Sequence, residues 1–229
     1  MPSRPANVAR QALLGFARLL VTLGLLLFLP AWSSNFWQAW AFLFVFSASA
    51  LVITLYFLKR DPRLIERRLK AGPAAEREKS QKIIQAFAGV LFTSTFVIAG
   101  LDHHFRWSNV PAVFVIVGDL FVAVAFALIF LVFKENSFTS GIIEVDDEQT
   151  VISTGPYRIV RHPMYSGALL MCLFIPIALG SYYALVLFPP LFVVIVLRLN
   201  DEEKFLSKRL PGYSEYRSKT RYRLIPWVW

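Results

Sequence analysis

The stretch Gly155-Pro156-Tyr157-Arg158-Ile159-Val160-Arg161-His162-Pro163-Met164-Tyr165-Ser166-Gly167 sets two arginines, a histidine and two tyrosines between long apolar runs. Ionisable side chains at a bilayer are costly to desolvate and persist where they have a function. A second polar cluster, Arg198, Glu202 and Glu203, follows after an apolar hairpin, and the two clusters are expected to form one site. On a helix Arg198 and Glu202 stand at i and i+4 and are expected to pair on one face, while Glu203 is rotated by about 100° from Glu202. Carboxylates at the end of an apolar hairpin suit a ligand with ammonium, hydroxyl or sulfonium groups.

The backbone between the clusters reads as irregular. Thr154-Gly155-Pro156-Tyr157 is a chain-reversing turn, and Pro163 restricts His162 to extended geometry. Irregular backbone at membrane depth is tolerated only when buried in protein or lining a polar cavity. The segment is therefore expected to wrap a polar ligand with its own amides, and Gly167 allows a ligand or helix to approach closely. Taken singly, Arg158 and Arg161 also suit anchoring to lipid phosphates by snorkelling.

Membrane helices must position these residues. Hydrophobic residues make up 56% of the 229, aromatics 15%, and mean hydropathy is +0.54, which exceeds the composition of water-soluble domains. Apolar runs at Ala12 to Leu29, Phe36 to Leu58, Ile83 to Leu101 and Val110 to Phe133 are each long enough to span about 30 Å of hydrocarbon. A fifth region, Ala168 to Leu199, breaks at Gly180-Ser181 into a helical hairpin whose first arm is short for a span. Pro176, Pro189 and Pro190 lie in its arms and favour kinks that would wall a cavity. The expected fold is all-α and integral to the membrane: four transmembrane helices plus a C-terminal helical hairpin, about five to six membrane segments, with a cytoplasmic ligand-binding loop and tail.

Charge sets the orientation. The net charge of +9 resides in the segments between apolar runs, where it suits anionic headgroups and not nucleic acid. Lys59, Arg60, Arg63, Arg67, Arg68, Lys70, Arg77, Lys79 and Lys82 lie between the second and third runs, whereas Arg106 is the single basic residue between the third and fourth, histidines aside. The long basic loop, both polar clusters and both termini are expected to be cytoplasmic. The first run follows Arg4 and Arg10 without a clear small-x-small cleavage site and reads as an uncleaved helix. Gly141 to Val145 and Thr150 to Ser153 flank the acidic turn Asp146-Asp147-Glu148 and are expected to form a short surface hairpin.

Several chemistries are excluded. There is no GxGxxG after a strand, no Walker A run, no GxSxG elbow and no HExxH. Asp102-His103-His104 looks like a metal fragment but lacks residues to complete a shell, so no metal site is expected. Cys172 stands in an apolar run and reads as an inert core thiol.

In order and spacing, the two motif segments, the hairpin, Glu202-Glu203 and then Gly212, Tyr216, Arg223 and Pro226 resemble the isoprenylcysteine carboxyl methyltransferase family, with phospholipid N-methyltransferases as more distant relatives. The resemblance covers roughly Asn136 to Pro226. It implies N-terminal transmembrane helices over residues 1–135 and a catalytic region over 136–229. It further implies S-adenosylmethionine bound near the cytoplasmic face, contacted by Tyr157, His162, Pro163, Tyr165, Gly167, Glu202 and Glu203. Arg198 would be oriented toward the transfer centre, with Arg161 a second candidate. A carboxylate acceptor needs no general base, whereas an amine or phenol does, and Glu202 or Glu203 is then the nearest base.

The implied acceptor is a lipophilic small molecule or lipidated group arriving sideways from the bilayer, a prenylated-protein carboxylate being one option. The short chain favours a bacterial inner membrane. Sterol and steroid reductases that bind NADPH carry a similar Arg-His-Pro-x-Tyr-x-Gly segment, but tend to have Asn and Glu where this chain has Met164 and Ala168. A non-enzymatic scaffold or transporter subunit leaves Arg161, His162, Glu202 and Glu203 without a shared purpose.

Overall fold

The computed structural model describes residues 5–76, 78–146 and 148–229. Its helices are α1 (Pro5–Ala31), α2 (Trp37–Arg60), α3 (Pro62–Leu69), α4 (Lys79–Phe105), α5 (Ala112–Glu135), α6 (Pro163–Ala178), α7 (Tyr182–Leu185), α8 (Phe188–Arg209) and α9 (Tyr213–Lys219). A 3-10 turn, Gly155–Arg158, precedes α6. Helices α1, α2, α4, α5 and the run Tyr182–Arg209 are long and apolar enough to cross a membrane. Helix α6, with 16 residues, falls short of the roughly 20 a span needs. The chain is an integral membrane protein of the expected all-helical class.

Pro189 and Pro190 lie in the first turn of α8, where a missing N–H removes no helical bond. Pro176 is the proline inside α6, and its carbonyl accepts the Ser181 N–H at 2.9 Å beside the break at Gly180, whose φ is +71°.

Small residues let the helices approach closely. A Cβ on Gly118 of α5 would lie 2.5 Å from the Ala178 backbone nitrogen of α6, and one on Gly100 of α4 would lie 2.6 Å from the Leu27 carbonyl of α1. Such contacts bring van der Waals surfaces together where lipid tails offer no hydrophobic drive. Phe36, Phe42, Phe96, Val122 and Ile175 fill the half of the core nearest the α1–α2 turn, while Val8, Phe57, Leu64, Val132 and Phe133 fill the half nearest α3. Val21, Phe44, Val52, Val90 and Ile116 are exposed on the outer faces, as lipid-facing positions require.

Two expectations are corrected. The basic stretch after α2 is not simply a loop: Asp61 accepts the Leu64 N–H at 3.1 Å as N-cap of α3, Pro62 opens the helix, and Leu64 and Ile65 are buried against α1, α2 and α5. The surface hairpin does not form. Among the described residues 141–153 are without strand pairing, and side chains of other elements take polar groups of the first arm: the Gly141 carbonyl accepts from Gln85 at 3.1 Å and Arg198 at 3.2 Å, and the Ile143 N–H donates to Glu76 at 3.4 Å. Arg4, Arg77 and Asp147 lie outside the described residues.

Candidate active site

The two polar clusters meet at the α3 end of the bundle, around a cavity of about 520 Å³. The cavity is lined by Tyr157, Arg161, His162, Pro163, Tyr165, Arg198 and Glu202 of the expected residues, and also by Arg68, Gln85, Asn136, Gly141, Tyr213 and Tyr216.

Local backbone explains the placement of the first cluster. Gly155 has φ +54°, a left-handed conformation that favours glycine, and it lies against the Glu135 carboxylate. The turn is followed by an isolated parallel bridge between Val160 and Tyr222, with the Arg161 N–H donating to Tyr222 O at 2.9 Å and the His162 N–H to Arg223 O at 3.0 Å. His162 is then the N-cap residue of α6 and Pro163 lies in its first turn. The tail after α9 is thereby tied to the start of α6, and Ser166 adds a bond from its hydroxyl to Leu224 O at 2.6 Å.

Arg161, His162, Glu203 and Arg223 form one ionic knot under the cavity. Arg161 Nε donates to Glu203 Oε1 at 2.7 Å, His162 Nε2 lies 3.3 Å from the same oxygen, and Arg223 Nη2 lies 3.4 Å from Glu203 Oε2. Arg161 Nη1 also donates to the carbonyls of Thr220 and Arg221 at 3.1 and 3.3 Å. Glu203 is buried and does not line the cavity, so both carboxylate oxygens are committed to protein cations. Gly167 points to α5, where a Cβ would meet Ile129 Cγ1 at 3.1 Å.

The second knot faces the cavity. Arg198 does not form the expected ion pair with Glu202. Its Nη1 pairs with Glu76 Oε1 at 2.8 Å and donates to Gln81 Oε1 at 3.1 Å, its Nη2 donates to Gly141 O at 3.2 Å, and its Nε donates to the Tyr165 hydroxyl at 3.1 Å. The Tyr165 hydroxyl in turn donates to Glu202 Oε2. The pairing fails because a buried carboxylate from the α3–α4 connection reaches Arg198 first; Glu76 is held there by Gln85 Nε2 and by the Ile143 N–H at 3.4 Å.

A third wall is aromatic. Asn136 Nδ2 donates to the Tyr157 hydroxyl at 2.9 Å, and the Tyr216 hydroxyl donates to the Tyr157 carbonyl at 2.7 Å. The Tyr213 hydroxyl is buried without a partner among the described residues. Burial pushes the hydroxyls of Tyr157 and Tyr213 up from the usual phenol range and that of Tyr216 up to about 12, so all three are neutral near pH 7.

Glu76, Gln81, Gln85, Asn136 and Gly141 were not anticipated from sequence. The legible signal was Gln81 and Gln85 at i and i+4 at the start of α4, two amides on one face of a membrane helix. Asp102-His103-His104 lie at the other end of the bundle around a separate polar cavity of about 330 Å³. There Asp102 accepts the Ser108 N–H and hydroxyl, both at 2.7 Å, and the Ser181 hydroxyl. Among the described residues no group of His, Cys, Asp and Glu is arranged to hold a metal ion.

Fold and site together define a polytopic helical membrane protein with a polar, carboxylate-bearing cavity at its basic end. Residues 113–211 match the model of the phospholipid methyltransferase family. The chain is also 29% identical over 125 residues to protein-S-isoprenylcysteine O-methyltransferase A of Arabidopsis thaliana, a stretch covering 54% of this chain and 55% of that protein. The resemblance read from the motifs is therefore borne out, and the chain spans about half the length of the curated relative it matches.

Proposed function

We propose that this protein is a membrane methyltransferase that takes its methyl group from S-adenosylmethionine and acts on a lipophilic acceptor. The observation that carries the reading is the cavity itself: within the matched stretch it joins His162, Tyr165, Arg198 and Glu202, only one of whose oxygens takes a hydrogen bond among the described residues. The residues present fit the donor. A volume of about 520 Å³ suits a nucleoside-sized ligand. The tyrosine wall offers faces for a base, the orphaned Tyr213 hydroxyl offers an unmet hydrogen bond, and the Glu202 carboxylate offers a counter-charge. When bound, the donor supplies a sulfonium-linked methyl for in-line displacement, which requires alignment and exclusion of water.

This chain's own residues supply the alignment. Arg68, Gln85 and Arg198 bind the Ser140 and Gly141 carbonyls and so fix that stretch as part of the cavity lining. Tyr165 orients Glu202, which is also the nearest base for an acceptor that must lose a proton. Ala88 and Gly89 of α4 and Ala168 of α6 line the cavity with small side chains on two apolar helices, which supports an acceptor arriving from the lipid. Residues 136–229 then carry the chemistry, and residues 1–135 supply the scaffold and one wall. The excess of Lys and Arg around α3 supports a cytoplasmic location for the site and both termini.

The test is calorimetric titration of the purified protein in detergent with S-adenosylhomocysteine and, separately, with NADPH, using Glu202→Gln as control. Saturable binding of S-adenosylhomocysteine that weakens in the variant is expected. Binding of NADPH alone would make the protein a reductase.

A further inference from the structure

We infer that Glu76 is a positioning residue: it holds Arg198 away from Glu202 and so reserves the Glu202 carboxylate for the cationic centre of the methyl donor. The inference rests on the methyltransferase reading. Arg198 and Glu202 share α8 at i and i+4, the spacing at which Arg and Glu ordinarily pair. They do not pair here, because the Arg198 guanidinium is held by Glu76, Gln81, the Gly141 carbonyl and the Tyr165 hydroxyl. The Glu76 side chain is 1% exposed and that of Arg198 14%, so the pair is shielded from water and competes well with an open carboxylate. Glu202 lines the cavity; its Oε2 takes the Tyr165 hydroxyl, whereas among the described residues its Oε1 takes no hydrogen bond.

Glu76 lies outside the family-matched residues 113–211 and comes from the connection between α3 and α4. It is not a loosely placed loop residue, since Gln85 and the Ile143 N–H fix its carboxylate. Without it, Arg198 keeps a charge in a half-buried site with an unused donor. The carboxylate within its reach is then Glu202, one turn along the same helix. Pairing would neutralise the group that faces the ligand.

The charge of the ligand separates this role from a merely structural one. S-adenosylhomocysteine carries a neutral thioether, while sinefungin carries an ammonium at the corresponding place. Titration of the full chain in detergent is expected to show a preference for sinefungin that falls about tenfold in Glu76→Gln, with S-adenosylhomocysteine affinity held within about threefold. Combining Glu76→Gln with Arg198→Met removes the competing cation and is expected to restore the preference; it also serves as the readable variant if Glu76→Gln alone fails to fold. An unchanged preference in Glu76→Gln, or a preference still lost in the double variant, overturns the inference and leaves the methyltransferase reading standing. Binding of neither ligand to the unaltered protein overturns that reading and the inference with it.

Discussion

Arg161 and Glu203 form a buried ion pair, Nε to Oε1 at 2.7 Å, with side chains only 7% and 4% exposed. The pair lies beneath the cavity and ties three parts of the chain together, because Arg161 also holds carbonyls of the α9 tail and Glu203 also meets His162 and Arg223. Removing Arg161 leaves the buried Glu203 charge to His162 and Arg223 alone and takes the donor from the tail carbonyls, at a cost approaching the ~3–5 kcal/mol of a broken buried pair. Arg161→Met is therefore expected to lower the melting temperature in detergent by about 10 °C and to expose the tail to protease. A melting temperature within about 2 °C of the unaltered protein would show that the pair is not structural.

Gly118 and Ala178 mark where α5 and α6 touch backbone to backbone. The added Cβ of Gly118→Ala would lie 2.5 Å from the Ala178 nitrogen and 2.8 Å from its Cα, neither of which can rotate away. Overpacking of this kind costs about 1–3 kcal/mol. Reduced thermal stability is expected, with a larger loss for Gly118→Val. Gly89, inside α4 with nothing within 4 Å of an added Cβ, is the internal control, and Gly89→Ala is expected to cause no loss of stability and a gain of up to about 1 kcal/mol.

The membrane helices were legible because their signal is a property of long runs: from Phe36 to Leu58 and from Val110 to Phe133 the apolar sequence alone demands a helix in lipid. The motif residues His162, Tyr165 and Glu202 were legible for a related reason, since ionisable groups beside such runs stand out. What sequence did not disclose depends on partners far apart in the chain. The i, i+4 rule paired Arg198 with Glu202, but Glu76 lies more than a hundred residues earlier and wins by burial. The same holds for residues 141–153, whose β-branched residues around an acidic turn suggest a hairpin while Gln85 and Arg198 claim the Gly141 carbonyl and Glu76 the Ile143 N–H.

Asp146 offers a contrast in pH dependence. The Glu148 N–H and the Arg67 guanidinium hold its carboxyl below the usual carboxylate range. A depressed folded-state pKa contributes stability above the unfolded pKa, and that stability is lost as pH falls through the folded value. The pair is partly open to water, at 19% and 40% side-chain exposure, and exposed pairs contribute under about 1 kcal/mol. Asp146→Asn is thus expected to change the melting temperature by no more than about 2 °C at pH 7 and to remove a small part of the destabilisation seen on acidification below pH 4. A large loss at pH 7 would mean that Asp146 has a role beyond the Arg67 pair.

Asp102 tests whether the two ends of the bundle are independent. Its buried carboxylate accepts the Ser108 N–H and hydroxyl and the Ser181 hydroxyl, and Ser181 Oγ in turn accepts the Ala184 N–H at 3.0 Å as N-cap of α7. One side chain thereby joins the α4–α5 connection to the turn between α6 and α7. Asp102→Ala leaves the fully buried Ser181 hydroxyl without its acceptor, while the Ser108 donors line a polar cavity; a buried orphan costs about 1–3 kcal/mol. The melting temperature is expected to fall by about 5–10 °C, while affinity for S-adenosylhomocysteine at the opposite end stays within about twofold at a temperature where the variant is folded. Parallel loss of affinity in the folded variant would mean that α6, which runs from Asp102's partners to His162, transmits strain along its length, and the site would then depend on both ends of that helix.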